Sequence, residues 1–239
     1  MSEDTFEAAV AATKEKVEEH ISEFLDFVQA QSDLIATGTC LLSGQSDADD
    51  YQQCLGLVRH VEQLWRSACL LFKADHFPQS AFLALSCIEE VGKVGVVRFQ
   101  LLQRMMARGR NAAQPAAAVG RRRGNPFYSH TDKQLLAAGA GAVVNSRLAR
   151  ILGREIVSEF LVQVRNREIE PLRQAALYAD VSHDGPALPS ARFGKTEAEM
   201  YCVLAGELMA EVLGFEPAEW NRLIETVQQF EREIGRAWE

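Results

Sequence analysis

The stretch Ser86-Cys87-Ile88-Glu89-Glu90-Val91-Gly92-Lys93 sets two carboxylates and an ammonium into a segment that otherwise reads as buried helix. Ala81-Phe82-Leu83-Ala84-Leu85 precedes it with no polar break, and Val94, Val96, Val97 and Phe99 continue the apolar character. On a helix, Ser86, Glu90 and Lys93 lie four and three residues apart and share one face, with Glu89 at its margin. Ionised groups on an apolar helix are costly to bury unless they are paired or used. Two readings stay open. One is a Glu90–Lys93 ion pair that fixes helix register; the other is a polar pocket inside a helical bundle that does chemistry or recognises a ligand.

On either side of this stretch the helical period dominates. Phe6, Val10, Val17, Ile21, Phe24, Leu25 and Val28 form one stripe, which predicts an amphipathic helix over 4–30. A second helix carries Leu57, Val58, Val61, Leu64, Trp65, Ala68, Leu71 and Phe72 as its buried face. Pro78 suits the first turn of a third helix, running through the polar stretch to about Met106. Residues 109–126 are mostly Ala, Gly, Pro, Gln and Arg, with little to bury, and read as a mobile loop. Ser129 or Thr131 caps a fourth helix whose Ala137-Ala138-Gly139-Ala140-Gly141-Ala142 run permits close approach to the third. Gly153 marks a break, Pro171 starts a short helix ending near Tyr178, and 181–195 read as a long loop. Thr196 to Glu199 has a capping-box pattern opening the next helix, and Pro217 opens a last one. No alternating strand and no repeat is evident, so the reading is all-α: a single helical domain over 1–239.

An apolar share of 47% and a charged share of 24% fit a globular chain. No apolar run is long enough to span a membrane, and the acidic start Met1-Ser2-Glu3-Asp4 lacks a signal-peptide core, so the expected location is the cytoplasm. Cys40, Cys54, Cys69, Cys87 and Cys202 are scattered without a Cys-x-x-Cys pair, which predicts buried thiols rather than disulfides or a zinc site. The net charge of −8 is uneven. From Lys93 to Arg123 there are eight basic residues and no acid, leaving −16 on the rest. Seven of the eight are arginine, a residue suited to phosphate, although such segments are often simply solvated. No phosphate loop, nucleophile elbow or dinucleotide fingerprint is present, and no Glu-x-x-His supports a di-iron site. The residues call for no metal and no cofactor.

Three segments together resemble the AbiV family of abortive-infection proteins. They are Ala84 through Lys93; His130 with Lys133; and Arg173-Gln174-Ala175-Ala176-Leu177-Tyr178-Ala179-Asp180. The resemblance covers roughly residues 50–213. It implies a helical bundle of the HEPN superfamily and a role in bacterial defence, in which phage infection is aborted by stopping gene expression. Many HEPN members are metal-independent RNases that work as dimers, with an Arg-x4–6-His motif from each subunit facing a shared cleft. Here Arg123-Gly124-Asn125-Pro126-Phe127-Tyr128-Ser129-His130 fits that spacing. Arg123 falls in the expected loop, however, and Pro126 interrupts the helix on which both residues usually sit.

Metal-independent RNA cleavage needs a group to take the 2′-hydroxyl proton, a donor to the leaving oxygen and positive charge for the phosphorane. His130 is the acid–base candidate. Lys133, Lys93 and Arg123 are candidates to neutralise phosphate, and Glu89 and Glu90 to orient the imidazole or hold a lysine. For Lys133 the plainer reading is a solvent-facing side chain. Arg173, Tyr178 and Asp180 line the substrate site, or else Tyr178 packs its ring and Asp180 turns the chain. His20, His60, His76 and His183 read as solvated. Two functions follow. In either case a homodimer is expected. One is an RNA-cleaving antiphage effector, toxic to the host. The other is a non-catalytic protein that binds a phage-encoded activator or host translation factor and blocks translation.

Overall fold

A computed structural model describes residues 29, 46–109, 129–144, 146–182, 185–214 and 217–235. The helix expected over 4–30, apart from Gln29, lies outside these residues. So do Cys40, His20, His183 and the loop expected after Gly109, with Arg121, Arg122 and Arg123.

Helix α1 (Asp47–Lys73) starts at Ser46, whose hydroxyl accepts the backbone N–H of Asp49. Helix α2 (Phe77–Gly109) follows after a three-residue turn with Asp75 at φ 60°. Beyond it come α3 (His130–Val144), α4 (Ser146–Leu152), α5 (Arg154–Arg165) and α6 (Ile169–Ala175). A short antiparallel hairpin, β1 (Asp180–Ser182) and β2 (Gly185–Ala187), leads to α7 (Pro189–Arg192), α8 (Lys195–Leu213) and α9 (Pro217–Glu233). The described residues are overwhelmingly helical, and the fold class is all-α as expected.

Helix α2 is the centre of the bundle. It packs on α1, α3 and α8, and touches α6 and α7. Its Ala81, Ala84, Leu85, Cys87, Ile88, Val91 and Val94 are all fully buried. The predicted face of α1 delivers Val58, Val61, Trp65, Ala68 and Phe72 to the same core, and α9 adds Leu223, Val227 and Phe230. Trp65 meets Phe230 edge-on at 5.7 Å, and its indole N–H donates to the Cys202 carbonyl at 2.8 Å, so the one polar atom of that ring is satisfied. Cys54, Cys69, Cys87 and Cys202 are free, buried thiols. Among the described residues no helix is long and apolar enough to cross a membrane.

Several local expectations shift. The segment 181–195 is not one loop: Val181 pairs with Pro186 in the hairpin, and Pro189 opens a single helical turn. These strands are three residues long, below the length at which alternation is visible. Helix α6 begins at Ile169 rather than Pro171. Ile169 is fully buried and anchors the turn, while Pro171 sits in the first turn, where a missing N–H costs nothing. Helix α8 begins one residue early. Its cap is Glu197, whose carboxylate accepts the Gly194 N–H at 3.0 Å, not the Thr196–Glu199 pair. Gly153, at φ 90°, breaks the chain between α4 and α5 as predicted.

Candidate functional site

The polar stretch of α2 meets the first turn of α3 because Gly92 lets the two backbones touch. A Cβ built on Gly92 would lie 2.0 Å from the Lys133 carbonyl oxygen. This approach carries Lys133 inward until only 8% of its side chain is exposed. It is therefore not the solvent-facing residue of the plainer reading. Ser129 caps α3, its hydroxyl accepting the Asp132 N–H at 3.3 Å, so His130 opens the helix directly above α2.

Glu89 sits at the middle of what results, not at the margin of the face defined by Ser86, Glu90 and Lys93. Its side chain is 6% exposed. One oxygen, Oε1, accepts from the Lys133 ammonium, and the other, Oε2, lies 2.7 Å from His130 Nδ1. Lys133 also reaches Glu90 Oε1 at 3.5 Å, and Glu90 Oε2 receives Lys93 at 3.1 Å. Ser86 turns its hydroxyl back to the Phe82 carbonyl at 2.8 Å and takes no part. Helix α6 closes the far side. Arg173 Nε lies 3.9 Å from Glu89 Oε2, and the guanidinium holds both oxygens of Glu170 at 2.9 and 2.8 Å. The guanidinium also lies 5.4 Å from the Phe82 ring centroid.

The charges form an alternating string: Lys93, Glu90, Lys133, Glu89, Arg173, Glu170. Three cations match three carboxylates, so each ion buried here has a partner of opposite sign. Burial pushes the Glu170 carboxyl up, but hydrogen bonds from Arg173 and Gln174 outweigh it and hold the group below the usual range. The Glu170 bond in turn raises Arg173, with burial opposing. Glu170 was not singled out in the sequence. Its one signal was the spacing Glu170-x-x-Arg173, which places acid and base one turn apart.

Of the expected site residues, Glu89, Glu90, Lys93, His130, Lys133 and Arg173 converge. Tyr178 and Asp180 do not join them by contact. Tyr178 is 61% exposed rather than packed, though its phenol is near enough to act electrostatically on Arg173. Asp180 does not turn the chain: it opens β1 opposite Ala187, and its carboxylate accepts the adjacent Val181 N–H at 2.8 Å. Arg123 lies outside the described residues. His60 and His76 are exposed, as expected.

Glu89, His130 and Glu170 each offer a ligand atom, all within 4.8 Å of one another, a spacing compatible with a metal ion. Lys133 and Arg173 already occupy those carboxylates, so an entering cation would have to displace two fixed positive charges. What the arrangement supplies chemically is an oriented imidazole. A carboxylate accepting from Nδ1–H favours the tautomer that leaves the lone pair on Nε2, and the His130 side chain is 52% exposed.

A family model described as AbiV matches residues 54–210. The chain belongs to the AbiV family. No curated protein and no solved structure matches it. The AbiV match begins within α1 and ends within α8, so it takes in every residue of the charged string and all of the helices that position them. Membership gives the chain an HEPN-like all-α fold and places it among abortive-infection proteins.

Proposed function

We propose that this AbiV protein is an antiphage effector that cleaves RNA without a metal ion, with His130 as its acid–base group. The observation that carries the reading is the 2.7 Å contact between His130 Nδ1 and the buried Glu89 side chain, on a histidine whose own side chain is 52% exposed. Nε2 takes the proton of a ribose 2′-hydroxyl, and the imidazolium formed is stabilised by Glu89 as the oxygen attacks the adjacent phosphorus. Lys93, partly exposed at 28%, offers positive charge toward the phosphorane. Among the described residues, one chain brings a single imidazole to the charged string for two proton transfers. A homodimer supplies the second, with the Nε2 of one His130 acting as base and the protonated ring of the other as acid.

The test is purified protein incubated with tRNA, rRNA and mRNA in the presence of EDTA, with and without lysate from phage-infected cells. Cleavage lost in His130→Ala supports the reading. Intact RNA in every condition overturns it.

One observation favours the alternative, a non-catalytic protein that binds a phage or host factor and blocks translation. The string of charges is closed on itself, with Glu89 and Lys133 almost wholly buried. Such a closed set suits fixing the register of α2 against α3 as well as it suits catalysis. Under that reading His130→Ala leaves plaque reduction unchanged, and surface substitutions abolish co-purification with the partner.

A further inference from the structure

Two donors approach one oxygen. Glu89 Oε2 lies 2.7 Å from His130 Nδ1 and 3.9 Å from Arg173 Nε. A guanidinium is permanently charged and binds carboxylates through a planar fork, so in open competition it takes the oxygen from a neutral imidazole. Arg173 is only 11% exposed and has little water to turn to. It is nevertheless held back. Glu170 engages two of its nitrogens at 2.9 and 2.8 Å, and Gln174 in turn donates to Glu170 at 2.7 Å. Both partners sit on α6, so the restraint is local to one short helix.

We propose that Glu170 is a positioning residue that holds Arg173 off Glu89 and thereby leaves Oε2 for His130. The inference rests on His130 being the acid–base group, but its test reads the ring itself and needs no cleavage. With Glu170 neutralised, Arg173 closes on Glu89, and the half-exposed imidazole loses its partner and swings to solvent.

The experiment is nitrogen-15 NMR of the His130 ring in the full chain, with the resonance assigned by His130→Gln. Wild type shows a single tautomer with the proton on Nδ1. Glu170→Gln loses that preference and gives an averaged pattern, whereas Arg173→Met keeps the wild-type one. The double variant Glu170→Gln/Arg173→Met recovers the wild-type pattern, because the competitor is gone. An unchanged ring in Glu170→Gln overturns the proposal, and so does a double variant that stays averaged. If Glu170→Gln alone fails to fold, recovery of both fold and tautomer in the double variant supports competition; failure of both to fold overturns it. Absence of nuclease activity with this pattern intact would count against cleavage and leave the positioning role standing.

Discussion

Gly92 and Lys133 are in backbone contact: a Cβ on the glycine would sit 2.0 Å from the lysine carbonyl oxygen and 2.7 Å from the Ala137 nitrogen. Both obstacles are backbone atoms, which no rotamer change can move. The charged string exists because these helices approach so closely. Gly92→Ala therefore forces α2 and α3 apart, and urea denaturation is expected to show a loss of about 3 kcal/mol, near the upper end for overpacking. Gly56 is the control. It lies in the interior of α1 with nothing within 4 Å of a built Cβ, so Gly56→Ala is expected to stabilise by up to about 1 kcal/mol from helix propensity.

Lys133 and Glu89 are a buried pair, and removing the ammonium leaves three carboxylates of the string facing two cations. Lys133→Met is expected to cost about 3–5 kcal/mol. Adding Glu89→Gln to it should recover a large part of that loss, since two carboxylates then match two cations. A double-mutant cycle measured by chemical denaturation checks this. Additive single losses would mean that the two side chains do not share one interaction.

Acid should act through carboxylates held ionised by arginine. At Glu62, burial pushes the carboxyl up, but bonds from Arg222 and Arg66 outweigh it and hold the group below its ordinary 4.5. Arg222 reaches both Glu62 oxygens at 2.8 Å, tying α9 to α1. Glu170 is lowered in the same way by Arg173. Below pH 4.5 the unfolded chain takes up these protons before the folded one does. The stabilisation is thus present above 4.5 and is lost as pH falls through the lower folded-state values. Glu62→Gln should flatten the fall in melting temperature over that acidic window. An unchanged slope would contradict it.

The four described thiols test the packing around α2. Burial pushes the Cys54 thiol up to about 12, and Cys87 is also raised by burial. In a Cys40→Ser background, a thiol reagent at pH 8 should label none of the four until denaturant is added. Prompt labelling of native protein would contradict the packing described for α1 and α2.

The sequence made α2 legible because its apolar run and its charges conflict, and only a bundle interior resolves that conflict. Periodicity placed the buried face of α1, with Val58, Val61, Trp65, Ala68 and Phe72 on it. It could not rank Glu89 above Glu90. Adjacent residues differ by about 100° around a helix, and the tilt of α3, set by Gly92, decides which one faces the partner. The solvent-facing reading of Lys133 fails on similar grounds, since nothing local marks a lysine as buried. Glu170 went unnoticed because its importance arises only when α6 docks on α2. The hairpin at 180–187 was missed because three-residue strands carry no period.

RNA integrity in phage-infected cells tests the role of the Glu89–His130 pair most directly. Cells expressing wild-type protein or His130→Gln at matched levels would be compared before and after infection. The expected result is discrete RNA fragments after infection with wild type, accompanied by fewer plaques, and neither effect with His130→Gln. Equal plaque reduction by both proteins, with RNA intact in both, would contradict it.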